Sequence, residues 1–335
     1  MKYFNIPIFV PHLGCPFDCV FCNQRKITGA GSNVSEETVV NTVEEHLKYL
    51  PESDCEIEIA FFGGSFTGID SALQERLLSA AYSYVEKHNI SGIRVSTRPD
   101  YIDDTVISRL NKYRVTTVEL GVQSMDEEVL KCSARGHTPH QVEEAASLIK
   151  KGGIRLGLQM MTGLPADTAE KSIQTAKKII ELKPEIVRIY PTLVIKDTML
   201  EKMYRDGKYT PMSVEDAVSL CSRLYKMFTD AGITVIRVGL QNTDEISPGG
   251  AVVAGPFHSA FGELVDSELF YNKICESIKA IQGDFAEVYV NPHDISKAAG
   301  HKKCNIEKIF KNYQKKISVK PDGSLPKGEI RIQDR

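Results

Sequence analysis

The chain has 335 residues, of which 42% are apolar and 25% charged, and its formal net charge is −3. This composition is typical of a globular protein with one large domain, alone or with a small module. The charge argues against a protein that is basic over its whole surface, although a local basic patch remains possible. No apolar run approaches the roughly 20 residues of a membrane span. We therefore expect a cytoplasmic protein, with neither a membrane nor DNA as a partner.

Short runs typical of strands alternate with amphipathic helical patterns up to about residue 240. Such alternation predicts βα units whose strands form a parallel sheet. The predicted strands are Ile8 to Pro11, Ile57 to Phe62, Ile93 to Thr97, Thr117 to Val122, Arg155 to Met161 and Ile186 to Pro191. The clearest predicted helices are Ser71 to His88, Pro139 to Lys151, Thr168 to Glu181 and Val214 to Ala231. Barrel enzymes place their chemistry at the carboxyl ends of the strands, so residues at those ends are the first candidates for function.

Three cysteines, Cys15, Cys19 and Cys22, follow the first predicted strand. Their spacing allows one loop to bring three thiolates to a single metal centre. A [4Fe-4S] cluster normally takes four cysteine ligands, so a cluster on these three would keep one iron for an amino-carboxylate ligand such as that of S-adenosylmethionine (SAM). The alternative is a structural zinc ion closed by a fourth ligand such as His12, although zinc loops favour paired Cys-x-x-Cys knuckles.

Phe21 directly precedes the third cysteine, and the loop resembles the cysteine signature of the radical SAM superfamily. The resemblance implies a partial (β/α)6 barrel, a [4Fe-4S] cluster on Cys15, Cys19 and Cys22, and SAM as a second cofactor, with Phe21 beside them. In that superfamily the cluster passes one electron to the sulfonium, and a 5'-deoxyadenosyl radical then abstracts hydrogen from the substrate. An electron donor is therefore an implied partner.

A glycine pair, Gly63 and Gly64, stands with Ser65 at the end of the second predicted strand. Paired glycines let the backbone approach a ligand closely and present N–H and carbonyl groups to it. The resemblance implies that this segment holds the methionine amino group of SAM. A tight turn without a ligand is the structural alternative.

Five further segments occur in the order found in the radical SAM domain of the Elongator catalytic subunit, which modifies wobble uridines in tRNA. They are Ser96 to Asp100, Glu119 to Ser124, Arg135 to Thr138, Gln159 to Pro165 and Arg188 to Thr192. A weaker resemblance links the chain to oxygen-independent coproporphyrinogen oxidases, through the Gly-Val-Gln and Gly-Leu-Pro elements. Both resemblances imply that Gln123 and Arg135 lie near the methionine or ribose of SAM, which suits an amide and a guanidinium.

Arg98, His137 and Tyr190 are candidates for catalysis or for contact with the substrate, because each stands at or near a predicted strand end. Each has a structural alternative: Arg98 as an extended strand-end residue, His137 as a loop cap and Tyr190 as a packed side chain. Glu119 is a candidate buried partner of Arg98 or Arg94. The catalytic residues therefore stay unassigned.

The resemblance to the Elongator subunit does not extend to its acetyltransferase domain. Only 14 residues precede Cys15, where that family carries a long extension, and the remaining chain has no room for the acetyltransferase fold. We therefore expect a reaction that differs from carboxymethylation by the two-domain route, and the identity of the substrate stays open.

Residues 241–335 are predicted to form a small α/β module after a barrel of residues 1–240. Its predicted elements are a strand Ala286 to Val290, a helix Ile295 to Ala299, a helix Cys304 to Tyr313, a strand Lys316 to Lys320 and its hairpin partner Glu329 to Ile332. This order resembles the core of a KH domain, in which a Gly-x-x-Gly loop between two helices clamps a nucleic-acid backbone. Gly300 matches that loop, but Lys303 replaces its second glycine.

Residues 297–320 contain eight lysines and one acid, Glu307. Such a stretch would attract phosphates, and Gly300, Lys302, Lys303 and Lys308 are the RNA-binding candidates. A solvated lysine-rich face is the structural alternative. The favoured hypothesis is a radical SAM enzyme that modifies RNA, in particular tRNA. The alternatives are radical chemistry on a small or porphyrin-like molecule, and a non-catalytic RNA-binding iron-sulfur protein.

Overall fold

The computed structural model describes residues 2–10, 19–23, 34–51, 55–88, 90–240 and 250–335. Cys15, and the alternative zinc ligand His12, lie outside these residues. The chain divides into two compact units: Met1–Met212 with Phe228–Phe257, and Ser213–Met227 with His258–Arg335. Among the described helices, none combines the length and the apolar character needed to cross a membrane.

The first unit contains a seven-stranded parallel sheet within the described residues, in the order β1-β2-β3-β4-β5-β6-β8, and it forms the predicted partial barrel. The strands of the sheet are β1 (Lys2–Val10), β2 (Cys55–Gly63), β3 (Gly92–Thr97), β4 (Val115–Gln123), β5 (Arg155–Thr162), β6 (Ile186–Pro191) and β8 (Thr234–Val238). The helices are α1 (Glu36–Leu47), α2 (Ser71–Lys87), α3 (Asp104–Lys112), α4 (Glu127–Cys132), α5 (Pro139–Lys151), α6 (Ala169–Glu181) and α7 (Met199–Arg205). Two short strands, β7 (Val194–Ile195) and β9 (Val252–Ala254), pair separately.

Local sequence explains why these elements form where they do. Asp70, Asp103, Thr138 and Thr168 precede α2, α3, α5 and α6, and each side chain accepts a backbone N–H from the first turn. Such caps satisfy donors that a helix leaves unpaired at its start. The strands between the helices carry apolar side chains that are fully buried, as expected for a parallel sheet covered by helices.

Strand β1 begins at Lys2, well before the predicted start at Ile8. The stretch that was missed contains Pro7, which lies opposite Ala60 in the register with β2. Because β1 lies at the edge of the sheet, the N–H that proline lacks is not needed by a second neighbouring strand.

A buried cluster of charges is formed by residues of four strands, β2, β3, β4 and β6. The guanidinium of Arg94 donates to Glu58, at 2.8 Å from Nε to Oε2, and also to Glu119. Arg188 donates to the other side of Glu119, at 2.6 Å from Nε to Oε2. The predicted pairing of Glu119 with Arg94 is therefore found, whereas Arg98 pairs with Asp100. Two carboxylates balance two guanidiniums, and their mutual attraction and hydrogen bonds offset the cost of removing the four charges from water.

The second unit contains α9 (Phe261–Ile278), α10 (Ile295–Ala299), α11 (Cys304–Tyr313) and most of α8 (Val214–Asp230). Its sheet has the order β11-β10-β12, formed by β10 (Phe285–Val290), β11 (Lys316–Pro321) and β12 (Ile330–Asp334). Strand β10 pairs parallel with β11 and antiparallel with β12.

The predicted hairpin between the last two strands is wrong, because β10 separates them. The inward side chains Ala286, Val288 and Val290 are completely buried, so β10 takes the centre of the sheet. The carboxylate of Asp334 also accepts the backbone N–H groups of Gln282 and Gly283, which holds β12 beside the start of β10.

Candidate active site

The carboxyl ends of the parallel strands bring several candidate residues to one edge of the first unit's sheet. Strand β2 ends at Gly63, β3 at Thr97 and β4 at Gln123. Tyr190 is the penultimate residue of β6. Because all these strands run in the same direction, residues that are far apart in the sequence meet at this edge.

Cys19 and Cys22 lie on a tight turn, in which the N–H of Cys22 donates to the carbonyl oxygen of Cys19 at 2.9 Å. The N–H of Val20 donates to Ser133 O at 3.1 Å, and Val20 O accepts from Leu200 N at 2.7 Å. The side chain of Val20 is buried, and Phe21 packs partly buried in the same apolar cluster. The turn is therefore held on both sides by the chain that follows α4 and by the start of α7.

Arg135 joins this turn to the end of β4. Its Nη1 lies 3.7 Å from Cys19 Sγ, and its Nη2 donates to Gly121 O at 2.7 Å. Its Nε is buried and has no hydrogen-bond partner among the described residues. One donor of the guanidinium is thus left for a ligand.

Gln123 adopts a left-handed backbone conformation, with φ of 65°, at the end of β4. Its Oε1 accepts a hydrogen bond from Gln159 Nε2 at 3.1 Å. A Cβ at position 121 would lie 2.8 Å from Gln123 Nε2 and 2.9 Å from Arg135 Nη2. Gly121 therefore lets both polar side chains cross the strand. Sequence reasoning did not single out Gly121 or Gln159, although both stand in the quoted Gly-Val-Gln and Gln159 to Pro165 segments.

Gly63 has φ of +106°, and a Cβ there would lie 2.7 Å from Val10 O. The same carbonyl accepts the N–H of Gly64 at 2.9 Å. The pair thus needs glycine for its own close approach to β1. Ser65 is buried and its Oγ accepts the backbone N–H of Arg98 at 2.9 Å, which ties the end of β2 to the end of β3. Contact of these residues with SAM stays a prediction.

Two of the three candidates for substrate contact are bound to neighbouring side chains. Arg98 Nε and Nη2 donate to the two carboxylate oxygens of Asp100, each at 2.9 Å. Tyr190 OH lies 3.3 Å from Arg188 Nη1, which donates to it. Tyr190 is thereby linked through Arg188 to the buried charge cluster.

His137, the third candidate, is 3% exposed. Burial, together with the positive charges of Arg135 and Arg98, lowers its pKa to about 3. Its Nε2 lies 3.1 Å from Val122 O. A carbonyl oxygen only accepts, so Nε2 carries the proton of the neutral ring. Nδ1 is then a buried acceptor that has no partner among the described residues.

This pKa predicts a pH-dependent loss of stability. The unfolded histidine takes up a proton near its ordinary pKa of 6.5, whereas the folded one stays neutral down to about 3. The contribution of neutral His137 to the free energy of unfolding is therefore fully present above pH 6.5. It falls as the pH is lowered, by up to about 1.4 kcal/mol per pH unit. Denaturant titrations at pH 6.5 and about pH 5 are expected to show a loss for the wild type that is about 1–2 kcal/mol larger than for His137→Gln.

Replacing the exposed His140 by glutamine provides the matched control, since its side chain is 74% exposed. That variant is expected to follow the wild type. Equal losses in the wild type and in His137→Gln would show that His137 takes up its proton in the folded protein as readily as in the unfolded chain.

Comparison with known families decides the class of this site. The profile of the radical SAM superfamily matches residues 9–179, and that of the radical SAM C-terminal domain matches residues 184–271. The chain belongs to the radical SAM superfamily. It is a radical SAM enzyme, and the cofactors of that family are a [4Fe-4S] cluster and SAM.

Several relatives of this radical SAM protein carry names that refer to tRNA. It is 31% identical over 241 residues to a tRNA uridine(34) acetyltransferase of Methanocaldococcus jannaschii, covering 66% of this chain and 43% of the relative. It is 28% identical over 228 residues to Elongator complex protein 3 of Saccharomyces cerevisiae, covering 59% and 41%. The chain thus spans less than half the length of these two relatives.

The fold comparison agrees with the sequence comparison. The structure of Elp3 from Methanocaldococcus infernus, lacking its N-terminal residues 1–46, matches with a TM-score of 0.65 and 25% sequence identity. The match covers 82% of this radical SAM chain and 63% of the other.

The described residues fit the two cofactors of the superfamily. Cys19 and Cys22 supply soft thiolate ligands on one turn. The buried, unpartnered Nε of Arg135 suits the carboxylate of an amino acid, as in SAM. Among the described residues, no group of three histidine, cysteine or acidic side chains could hold a metal ion, and the third predicted ligand, Cys15, lies outside them. The ligand set therefore stays a prediction.

The RNA-binding candidates lie in the second unit. Gly300 has φ of 78°, and a Cβ there would lie 2.7 Å from Cys304 Sγ. Lys302 and Lys303 are exposed and left-handed, with φ of 51° and 66°. Lys303 therefore adopts the conformation that the missing second glycine would favour. Lys308 is already engaged, at 3.4 Å from Glu268 and above the ring of Tyr271.

The loop that carries these lysines is held from beneath by Asn305. This residue is 1% exposed, and its Nδ2 lies 2.9 Å from Ser267 O and 3.2 Å from Ala298 O. The contacts join the start of α11 to the end of α10 and to α9. The loop is thus presented on a packed support, with the two lysine side chains exposed.

Proposed function

We propose that this protein cleaves SAM reductively and uses the resulting 5'-deoxyadenosyl radical to modify a tRNA. The observation that supports radical chemistry most directly is the contact of Arg135 with both Cys19 and the end of β4, which brings a predicted cluster ligand to the strand-end residues. The tRNA part of the proposal rests on the relatives, whose names refer to tRNA uridine(34).

The chain's own residues have distinct roles in this proposal. When bound, the cluster supplies the electron that breaks the bond between the sulfonium sulfur and the 5' carbon. Cys15, Cys19 and Cys22 bind the irons. The Nε of Arg135 and the amide of Gln123 orient the amino acid portion of SAM. The Gly63 and Gly64 segment lets the backbone approach the ligand.

Neutral His137 offers a buried acceptor at Nδ1 on the same edge. Its low pKa means that it cannot act as an acid near neutral pH. In this proposal Nδ1 accepts a hydrogen bond from a ligand hydroxyl or amide. The positive charges of Arg135 and Arg98 nearby keep the ring neutral and Nδ1 free of a proton. The electron comes from a separate reductant of low potential, in the cytoplasm.

The second unit is proposed to contact the phosphates of the tRNA. Lys302 and Lys303 make no ion pair within the described residues and stand side by side on a loop that Asn305 supports. A pair of unneutralised cations on a fixed loop provides the sequence-independent attraction that RNA binding requires. Gly300 lets the backbone turn tightly between the two helices.

The proposal predicts that tRNA stimulates SAM cleavage. The protein is reconstituted anaerobically with iron and sulfide, reduced and incubated with SAM, and 5'-deoxyadenosine is measured by chromatography with and without bulk tRNA. We expect a severalfold increase with tRNA, and a smaller increase for the double variant Lys302→Gln with Lys303→Gln. Cleavage that is indifferent to tRNA would contradict the RNA part of the proposal and direct the search to small molecules.

The same double variant is expected to bind tRNA more weakly and with less dependence on salt. Each lost phosphate contact lowers the slope of log affinity against log salt by about 0.7 for a single strand, so two contacts account for about 1.4. Exposed Lys279 and Lys327, on other elements of the second unit, give a matched control when both are changed to glutamine. An equal loss in the control pair would show that only total charge matters.

Lys303→Gly separates the charge of this loop from its conformation. Glycine relieves a left-handed strain of about 1 kcal/mol while removing one cation. We therefore expect this variant to be at least as stable as the wild type. Its slope of log affinity against log salt should decrease by about half as much as in the double variant.

A further inference from the structure

The contact between Arg135 and Cys19 has a consequence for the cluster as well as for the binding of SAM. We propose that Arg135 is a positioning residue that raises the reduction potential of the cluster, by donating a charge-assisted hydrogen bond to the sulfur of Cys19. Nη1 and Sγ lie 3.7 Å apart, within the range of hydrogen bonds to sulfur. The inference rests on the proposed function, because it takes Cys19 as a cluster ligand.

Several contacts fix the direction of the guanidinium. Arg135 is 6% exposed, and its Nη2 donates to Gly121 O at 2.7 Å. Its backbone N–H donates to Leu130 O at 2.9 Å, at the end of α4. Because the main chain and one terminal nitrogen are both held, Nη1 has little freedom to turn away from Cys19.

The segment that carries Arg135 also holds the cysteine turn through its main chain. Ser133 O accepts the N–H of Val20 at 3.1 Å, next to Cys19. Ala134, between Ser133 and Arg135, is left-handed, with φ of 50°, which turns the chain sharply. Thus Ser133 and Arg135, two residues apart on one short loop, bind the neighbouring residues Val20 and Cys19 of the turn.

Among the described residues, no acid pairs with the positive charge of Arg135. The described partners of its side chain are a carbonyl oxygen and a thiol, and it makes no ion pair with a described carboxylate. The same charge contributes to the low pKa of His137. A buried cation therefore points at the sulfur of a predicted ligand.

Such a cation favours the reduced cluster. Reduction adds one negative charge, and in a buried environment the attraction between this charge and the guanidinium is only weakly screened. Hydrogen bonds to the sulfurs, net charge and solvent exposure are what set the potentials of iron-sulfur clusters. Nε remains available for the carboxylate of SAM, so the two roles do not compete for the same donor.

The experiment is a redox titration of the reconstituted protein, followed by electron paramagnetic resonance of the reduced cluster, without SAM or RNA. For Arg135→Met we expect a more negative midpoint, equivalent to about a tenfold fall in the ratio of reduced to oxidised cluster at a given potential, or about 59 mV for one electron. Arg135→Lys keeps the charge on a more flexible stem. Its midpoint is expected to lie between those of the wild type and Arg135→Met.

Arg205→Met is the matched control, because Arg205 is 66% exposed and pairs with Glu201. Its midpoint is expected to equal that of the wild type. A wild-type midpoint in Arg135→Met, at equal iron and sulfide content, would overturn the inference.

A second variant tests the direction of the guanidinium and serves if Arg135→Met does not retain its cluster. In Gly121→Ala the new methyl group would collide with Arg135 Nη2, at 2.9 Å, while the charge of the chain stays unchanged. We expect a negative shift smaller than that of Arg135→Met, and an unshifted midpoint in both Gly121→Ala and Arg135→Lys would also overturn the inference. Since no tRNA is present, loss of tRNA stimulation would contradict the proposed function while leaving this result untouched.

Discussion

Replacing Cys19 with alanine is expected to abolish both cluster binding and SAM cleavage. A [4Fe-4S] cluster held by three cysteines has no spare protein ligand, so the loss of one thiolate leaves two irons without one. The turn that carries Cys19 is fixed by hydrogen bonds of Val20, so a neighbouring residue cannot take its place without disturbing them. We expect iron content near background and 5'-deoxyadenosine below detection.

Cys132→Ala is the matched control for this experiment. Cys132 is exposed at the end of α4 and is not a predicted ligand. The control is expected to keep its iron and its cleavage activity. Four irons per chain and undiminished cleavage in Cys19→Ala would remove Cys19 from the ligand set. Zinc in place of iron in the purified wild type would instead support the structural zinc alternative.

Glu119→Gln is expected to destabilise the first unit by roughly 3–5 kcal/mol, because it leaves two buried guanidiniums with one carboxylate between them. Glu119 is 5% exposed and accepts hydrogen bonds from both Arg94 and Arg188. Burial opposes the charged form of Glu119, but Arg188 and then Arg94 outweigh it and lower the pKa of this carboxyl. The carboxylate therefore stays ionised, and its stabilisation is present above the ordinary pKa of a glutamate and is lost as the pH falls below it.

Chemical denaturation of the apoprotein, followed by circular dichroism, measures this effect. Glu36→Gln is the matched control, since the side chain of Glu36 is exposed and pairs with Arg76. An exposed pair of this kind contributes no more than about 1 kcal/mol. Adding Arg188→Met to Glu119→Gln is expected to restore part of the loss, because it removes one unpaired cation. Equal stability of Glu119→Gln and the control would show that the buried charges do not depend on one another for their stabilisation.

Much of the barrel follows from local patterns. The spacing of apolar runs predicted the strands that became β2 to β6, because each strand is buried on both faces and reads as a short apolar segment. Helices α1, α3, α4 and α7 were not predicted. They are short, with 12, 9, 6 and 7 residues, so few turns of periodicity mark them in the sequence.

Other features depend on pairing that no local pattern specifies. Strand β12 follows β11 in the sequence but pairs with β10, because the completely buried side chains of β10 take the centre of the sheet. The sequence left open whether Lys303, in place of the second glycine, could form the tight loop, and in the structure it adopts the left-handed conformation. Asn305 holds this loop from beneath, and the loop tolerates the left-handed strain of about 1 kcal/mol at Lys303.

The candidate site shows the same division. The cysteine spacing, the glycine pair and the alternation of elements are local properties, so the amino-acid sequence alone indicated a radical SAM barrel and the groups that would bind its cofactors. The contact of Arg135 with Cys19 joins residues 116 positions apart, and Gly121 acquires its role only because two side chains cross above it. Parallel strands gather distant residues at one edge, and the distances and charges among those residues exist only once the sheet has formed.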